Sequence, residues 1–206
     1  MLAGCASLEH GCAADWGSLQ SPKNYFGSER AEKFSSPGGT GFGARRVYII
    51  PARLALNHWA LAGDWTMKTG SVVLNEASGQ IAYRFHARDL HLVMEPMARE
   101  AAVRFRVLLD GKPPGVAHGV DVDVDEQGNT TATGQRLYQL IRQPKPIAER
   151  QFEIEFLDSG MAAFVFTFGR SSPDHRALAG LDRVETGHLH RCRLKCVKHT
   201  WNTMAA

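Results

Sequence analysis

Gln80-Ile81-Ala82-Tyr83-Arg84-Phe85-His86 alternates apolar and polar side chains over seven residues. A repeat of two residues is the signature of a strand, because successive side chains point to opposite faces. The same beat returns in Val103-Arg104-Phe105-Arg106-Val107-Leu108-Leu109, which the turn pair Asp110-Gly111 closes. It returns again in Phe152-Glu153-Ile154-Glu155-Phe156, closed by Asp158-Ser159-Gly160, and in Ala163-Phe164-Val165-Phe166-Thr167-Phe168. Period two assigns Ile81, Tyr83, Phe85, Val103, Phe105, Val107, Phe152, Ile154, Phe156, Phe164, Phe166 and Phe168 to inward faces. Short runs of this kind, separated by Gly, Pro, Asn and Asp, predict antiparallel strands in an all-β sandwich. Helical candidates are few: residues 96–102 and a turn around 28–34.

Around these strands the chain changes texture. Residues 1–22 are small and polar and read as a linker remnant; residues 23–169 carry the sandwich; residues 170–206 lose the alternation and are predicted to be disordered. Ser35-Ser36-Pro37-Gly38-Gly39-Thr40-Gly41 is a loop by composition. The 206 residues, 44% hydrophobic and 22% charged, suffice for a real core and fit neither a coiled coil nor wholesale disorder. No run approaches the ~18 apolar residues of a spanning helix, so no helical membrane span is expected.

The net charge of +3 belongs to the tail. Residues 170–206 hold seven Lys or Arg against three acids, whereas the rest holds 17 bases and 18 acids. A near-neutral body gives no electrostatic argument for a nucleic-acid partner. Cys5 and Cys12 lie near one end and Cys192 and Cys196 near the other, with no Cys-x-x-Cys pair of the thiol-oxidoreductase type.

Several residues could carry function. Trp59 and Trp65 share one strand face, and a flat indole offers a stacking surface for a sugar ring; the plain alternative is core filler. The faces opposite the core carry Arg84, His86, His91, Arg104, Arg106 and Gln139, with Glu153 and Glu155. If their strands are adjacent, they would line a polar face for a glycan or a partner domain, against the alternative of a solvated sheet with cross-strand pairs. Glu153 and Glu155 on one strand face would suit acid–base work on a glycosidic bond, although paired acids on a sheet are common. No Gly-x-Ser-x-Gly elbow supports nucleophilic catalysis. Asp121, Asp123, Asp125, Glu126 and Asn129 offer oxygens for calcium but break the helix–loop–helix spacing, and an acidic hairpin turn explains them equally. His188, His190, Cys192, Cys196 and His199 are the right atoms for zinc at spacings that fit no common finger. No metal or cofactor is assigned.

A wider pattern accompanies these residues. Ser21-Pro22-Lys23-Asn24-Tyr25-Phe26-Gly27 precedes Glu29-Arg30-Ala31-Glu32 and Ser36-Pro37-Gly38-Gly39. Leu56-Asn57-His58-Trp59-Ala60-Leu61-Ala62-Gly63-Asp64-Trp65 and Ile81 to Met94 follow, then Phe105 to Gly111 and Pro113-Pro114-Gly115 with His118 to Asp123. Arg136-Leu137-Tyr138-Gln139-Leu140-Ile141-Arg142 and Phe166-Thr167-Phe168-Gly169 complete the series. Across residues 14–169 the chain resembles the C-terminal domain of DipZ-type, thioredoxin-like cytochrome c biogenesis proteins. The resemblance implies a jelly-roll-like antiparallel β-sandwich similar to carbohydrate-binding modules, placed behind a thioredoxin-like domain in an extracytoplasmic setting of thiol chemistry. It implies a non-catalytic accessory domain, with a glycan or the thioredoxin-like domain as partner; a scaffold that pads the redox domain without binding sugar is the rival. The thioredoxin domain and its cysteine pair are absent here, so the family's redox activity is not carried over, and residues 170–206 match nothing in the family.

Overall fold

The computed structural model describes residues 19–27, 29–123 and 129–169. Eleven strands run in chain order among them: β1 Asn24–Tyr25, β2 Arg45–Tyr48, β3 Trp59–Met67, β4 Val72–Leu74, β5 Gly79–His86, β6 Asp89–Pro96, β7 Val103–Leu109, β8 Asn129–Ala132, β9 Arg136–Arg142, β10 Glu149–Phe156 and β11 Met161–Phe168. All named strand pairs are antiparallel. Of the helical candidates, 96–102 is strand end, bends and a turn, and 29–34 is turned as read; one 3-10 turn, Gly115–Ala117, is the helical element of the described residues. Segments of about seven residues cannot repay helix nucleation when their ends are held in strands.

The strands make two layers that share β3. In the first layer β3, β4, β11, β6 and β9 lie side by side, with β1 on β11 and β2 on β3; in the second, β8, β7, β10, β5 and β3 do. Residues 59–62 of β3 pair with β5, and residues 65–67 pair with β4. Gly63, at φ 91°, lies between the two halves. Its Cβ would stand 2.9 Å from the Gly79 Cα, so this switch of sheets needs two glycines facing each other. The result is the jelly-roll-like all-β sandwich, its sheet turned back over itself.

Aromatic rings fill the space between the layers. Tyr83 stacks on Phe168 at 5.5 Å and Phe85 does so at 6.0 Å, while Phe152 meets Phe166 edge-on at 5.7 Å and Phe105 meets Tyr138 at 6.3 Å. Each of these pairs joins one layer to the other, and edge or offset contacts of this kind add to the burial of apolar area. The alternation in the sequence therefore names the core, with one departure. Phe164 is half-buried and outside the core cluster, because the β11–β6 register shifts between Ala163 and Val165. An extra residue on one side of a ladder flips the alternation beyond it, so Ala163 takes the inward position instead.

The incoming chain is stitched to the body. The Gln20 amide donates to His86 O at 3.0 Å, and the Ser21 hydroxyl donates to Asn57 Oδ1 at 2.6 Å while accepting from the His86 amide at 2.9 Å. Phe26 then packs on Trp59 at 4.6 Å, and Asn24–Tyr25 adds to β11. The expectations made for residues 1–18 and 170–206, including Cys5, Cys12 and the His188–His199 cluster, lie outside the described residues.

Candidate functional site

Trp59 and Trp65 have no exposed surface. Their indole N–H groups donate to Glu32 O at 3.0 Å and to Ala62 O at 2.8 Å, so both rings are satisfied core residues. The stacking platform is thereby corrected: a face wholly inside the sandwich meets no ligand.

The polar group divides between two outer faces. Arg84 and His86 of β5 and Arg104 and Arg106 of β7 lie on the outer face of the second layer, where β10 separates the two strands. His91 of β6 and Gln139 of β9 are cross-strand partners in the first layer. Both turn away from the core cluster, so the sandwich itself separates them from the arginines. One shared face does not exist.

On the second layer each arginine meets an acid. Arg84 pairs with Glu149, and Arg106 pairs with Glu155. Arg104 grips Asp158 with two parallel bonds, Nε to Oδ2 at 2.9 Å and Nη2 to Oδ1 at 2.7 Å. These bonds, with that from the Arg104 amide, hold the Asp158 carboxyl down to about 2. Glu153 accepts from Gln151 Nε2 at 2.7 Å.

Where β5 meets β10, the loop of residues 49–58 folds back over the sheet and leaves a cleft. Arg53, Leu54, Ala55, Arg84 and Glu149 line its volume of about 510 Å³. Small residues make the room: Leu54 rests on Ala60 and Ala82, with Ile50 beside them. The loop is tied down at Asn57, whose amide donates to Arg84 O at 2.7 Å, while the Arg84 amide donates to His58 O at 3.0 Å. Asn57 holds φ 65°, a left-handed conformation that Asn tolerates better than most residues. Glu153 and Glu155 do not line this cleft.

On the first layer Asp89, only 1% exposed, is the hub. Its Oδ1 accepts from Gln139 Nε2 at 3.1 Å and Arg142 Nε at 2.9 Å, and its Oδ2 accepts from Arg88 Nη2 at 2.8 Å. A buried carboxylate needs such donors, since an unpaired charge out of water is prohibitively costly. Asp121 ties the next loop to β9 by accepting from Arg136 and from the Gln139 amide. Asp121, a candidate calcium ligand, is thus occupied, while Asp125 and Glu126 lie outside the described residues. Among the described residues no three His, Cys, Asp or Glu stand where they could share a metal ion. His91 is as buried as Asp89, and among the described residues neither ring nitrogen meets a partner at good hydrogen-bond geometry, the Thr167 backbone being the nearest such group. Burial pushes its pKa down, against the opposing pull of Asp89.

Arg53, Leu54, Ala55, Glu149, Asp89 and Arg142 were absent from the sequence-derived set. Asp89 and Arg142 sit at strand ends, where alternation fades. Glu149 gained meaning only as the neighbour of Arg84, 65 residues away in the chain. Arg53 lies in a stretch with no periodicity at all.

Residues 21–169 match the family described as the thioredoxin-like C-terminal domain. No curated protein matches the chain. Among solved structures, a family two carbohydrate esterase from Cellvibrio japonicus is similar at 13% identity and a TM-score of 0.36, covering 49% of this chain and 27% of that one. A family two carbohydrate esterase from Clostridium thermocellum, in complex with cellohexaose, is similar at 12% identity and a TM-score of 0.34, covering 49% of this chain and 28% of that one. The similarity thus spans little more than a quarter of either esterase chain. With its family pattern running from Ser21 to Gly169 through every strand of the sandwich, this chain belongs to the thioredoxin-like C-terminal domain family.

Proposed function

We propose that this domain is a non-catalytic accessory module of a thioredoxin-like, DipZ-type protein and that its second-layer cleft holds a carbohydrate. The cleft itself carries the reading. It joins charged hydrogen-bonding groups, Arg53, Arg84 and Glu149, to the apolar Leu54 and Ala55. A sugar needs that mixture of polar and apolar groups. Two-carboxylate hydrolysis of a glycoside finds no support there. Among the described residues Glu149 is the one acid lining the cleft, and it is paired with Arg84.

Titration of the full chain with soluble oligosaccharides, followed by calorimetry or amide NMR, tests the reading. The expected result is binding that perturbs Arg84, Glu149 and the 53–55 loop and that weakens in Arg84→Ala. A panel with no binder removes the carbohydrate. One observation favours a second role, the docking of a thioredoxin-like domain. Gln20 and Ser21 are pinned at His86 and Asn57, so the first described residues lie beside the cleft. Tight docking of a thioredoxin-like domain by a chain that binds no sugar would install that role instead.

A further inference from the structure

The cleft has an unbalanced charge. Arg84 is neutralised by Glu149, but Arg53 forms no ion pair or hydrogen bond among the described residues, although it lines the same space. Elsewhere on this layer the rule is different: Arg104 has Asp158, Arg106 has Glu155 and Arg150 has Asp110. Arg53 is therefore the one arginine of the cleft left with its five donors uncommitted. The cleft also lacks an aromatic wall. Trp59 and Trp65 are inside the core, and the lining residues include no ring, so stacking on a sugar face contributes nothing here. Neutral hydroxyl contacts alone exchange water for protein at little net gain, whereas a guanidinium on a carboxylate makes bonds about twice as strong, often in parallel pairs.

We propose that the sugar held in this cleft is a uronic acid, with its carboxylate on Arg53. Its hydroxyls face the Arg84–Glu149 pair, which supplies both donors and acceptors, and its ring lies against Leu54 and Ala55. This inference rests on the carbohydrate reading of the same cleft and adds to it the charge of the ligand. The loop backbone is ready-formed: Leu54 is anchored on Ala60 and Ala82, and Asn57 is bonded to β5, so binding has only the Arg53 side chain to order.

Oligogalacturonate and its methyl ester form the decisive pair, because they share rings and hydroxyls and differ in the carboxylate. Calorimetry of the full chain at low salt should give binding of the acid form, about tenfold weaker for the ester and for Arg53→Ala. The acid form should also lose affinity as salt is raised. Arg53 is exposed, and a thermal melt of the variant checks that its fold is unchanged. Arg53→Lys keeps the charge but not the fork, and should fall between the two. Equal binding of acid and ester, or an Arg53→Ala variant that binds the acid as well as the parent, overturns the inference and leaves the carbohydrate reading standing. Oligoglutamate binding as tightly as oligogalacturonate also overturns it, since the cleft would then recognise a peptide's charge. Absence of binding to the acid, the ester and neutral oligosaccharides alike overturns both readings together.

Discussion

Tyr83 and His91 bury polar atoms that no described group satisfies. The Tyr83 ring is fully buried between Phe166 and Phe168, and its hydroxyl has no partner among the described residues; burial pushes its pKa far up. An orphaned hydroxyl costs about 1–3 kcal/mol, so its removal should not harm the fold. Tyr83→Phe is expected to leave stability unchanged or raise it by about 1 kcal/mol in urea unfolding, whereas Phe152→Ala in the same core should cost about 3–5 kcal/mol. His91 makes a prediction of opposite character. Its folded pKa lies below the ordinary 6.5, so between these values the unfolded chain takes up a proton that the folded chain refuses. Stability should therefore fall as pH drops below about 6.5 and be insensitive to this residue above it. The groups around it are Asp89 on β6, Arg142 on β9, Asp121 on the preceding loop and Thr167 on β11. Unfolding at pH 8, 6 and 5 should show a smaller acid loss in His91→Gln than in the parent.

Elements follow local rules where the backbone obeys a simple period and depart from them where two strands disagree in length. Asp110-Gly111, read as a turn pair, occupies positive φ at both residues, 53° and 75°, between reciprocal bonds of Leu109 and Lys112. That is a two-residue mirror-image turn, which folds Lys112 back onto the last residue of β7. The bulge after Ala163 had no comparable signal, because Phe164 looks like its apolar neighbours and only the partner β6 makes the extra residue visible. Gly119 is an element-level constraint of the same hidden kind. Its Cβ would stand 1.9 Å from Gln139 O, where the 118–121 segment runs along the edge of β9. Gly119→Ala should cost about 2–4 kcal/mol, since backbone rather than a flexible side chain must move. Gly134→Ala, with nothing within 4 Å of the added carbon, is the control and should change the melting temperature little.

At the scale of the molecule, the incoming segment is as much part of the sandwich as its strands. The buried Ser21 hydroxyl both donates to Asn57 and accepts from His86. Ser21→Ala should cost about 1–3 kcal/mol and, more tellingly, should open the chain ahead of Phe26 to limited proteolysis before the body unfolds. The inward faces, the turns and the fold class were legible in the chain, because each depends on neighbours a few residues apart and on one period. The grouping of polar residues was not. Arg84, His91, Arg106 and Gln139 share an outward parity, but parity says only that a side chain leaves the core, not which layer it leaves from.

The amino-acid order alone determined that alternating strands bury rings between antiparallel layers, since pleat geometry ties each side chain to a face without reference to distant residues. Tertiary structure decided the rest: β3 serves both layers, β10 slots between β5 and β7, and the 49–58 loop closes over Ala60 and Ala82. Those choices place Arg53 and Glu149 beside Arg84 and send His91 to the opposite side. Strand order is settled by packing among segments far apart in the chain, and no local pattern encodes it.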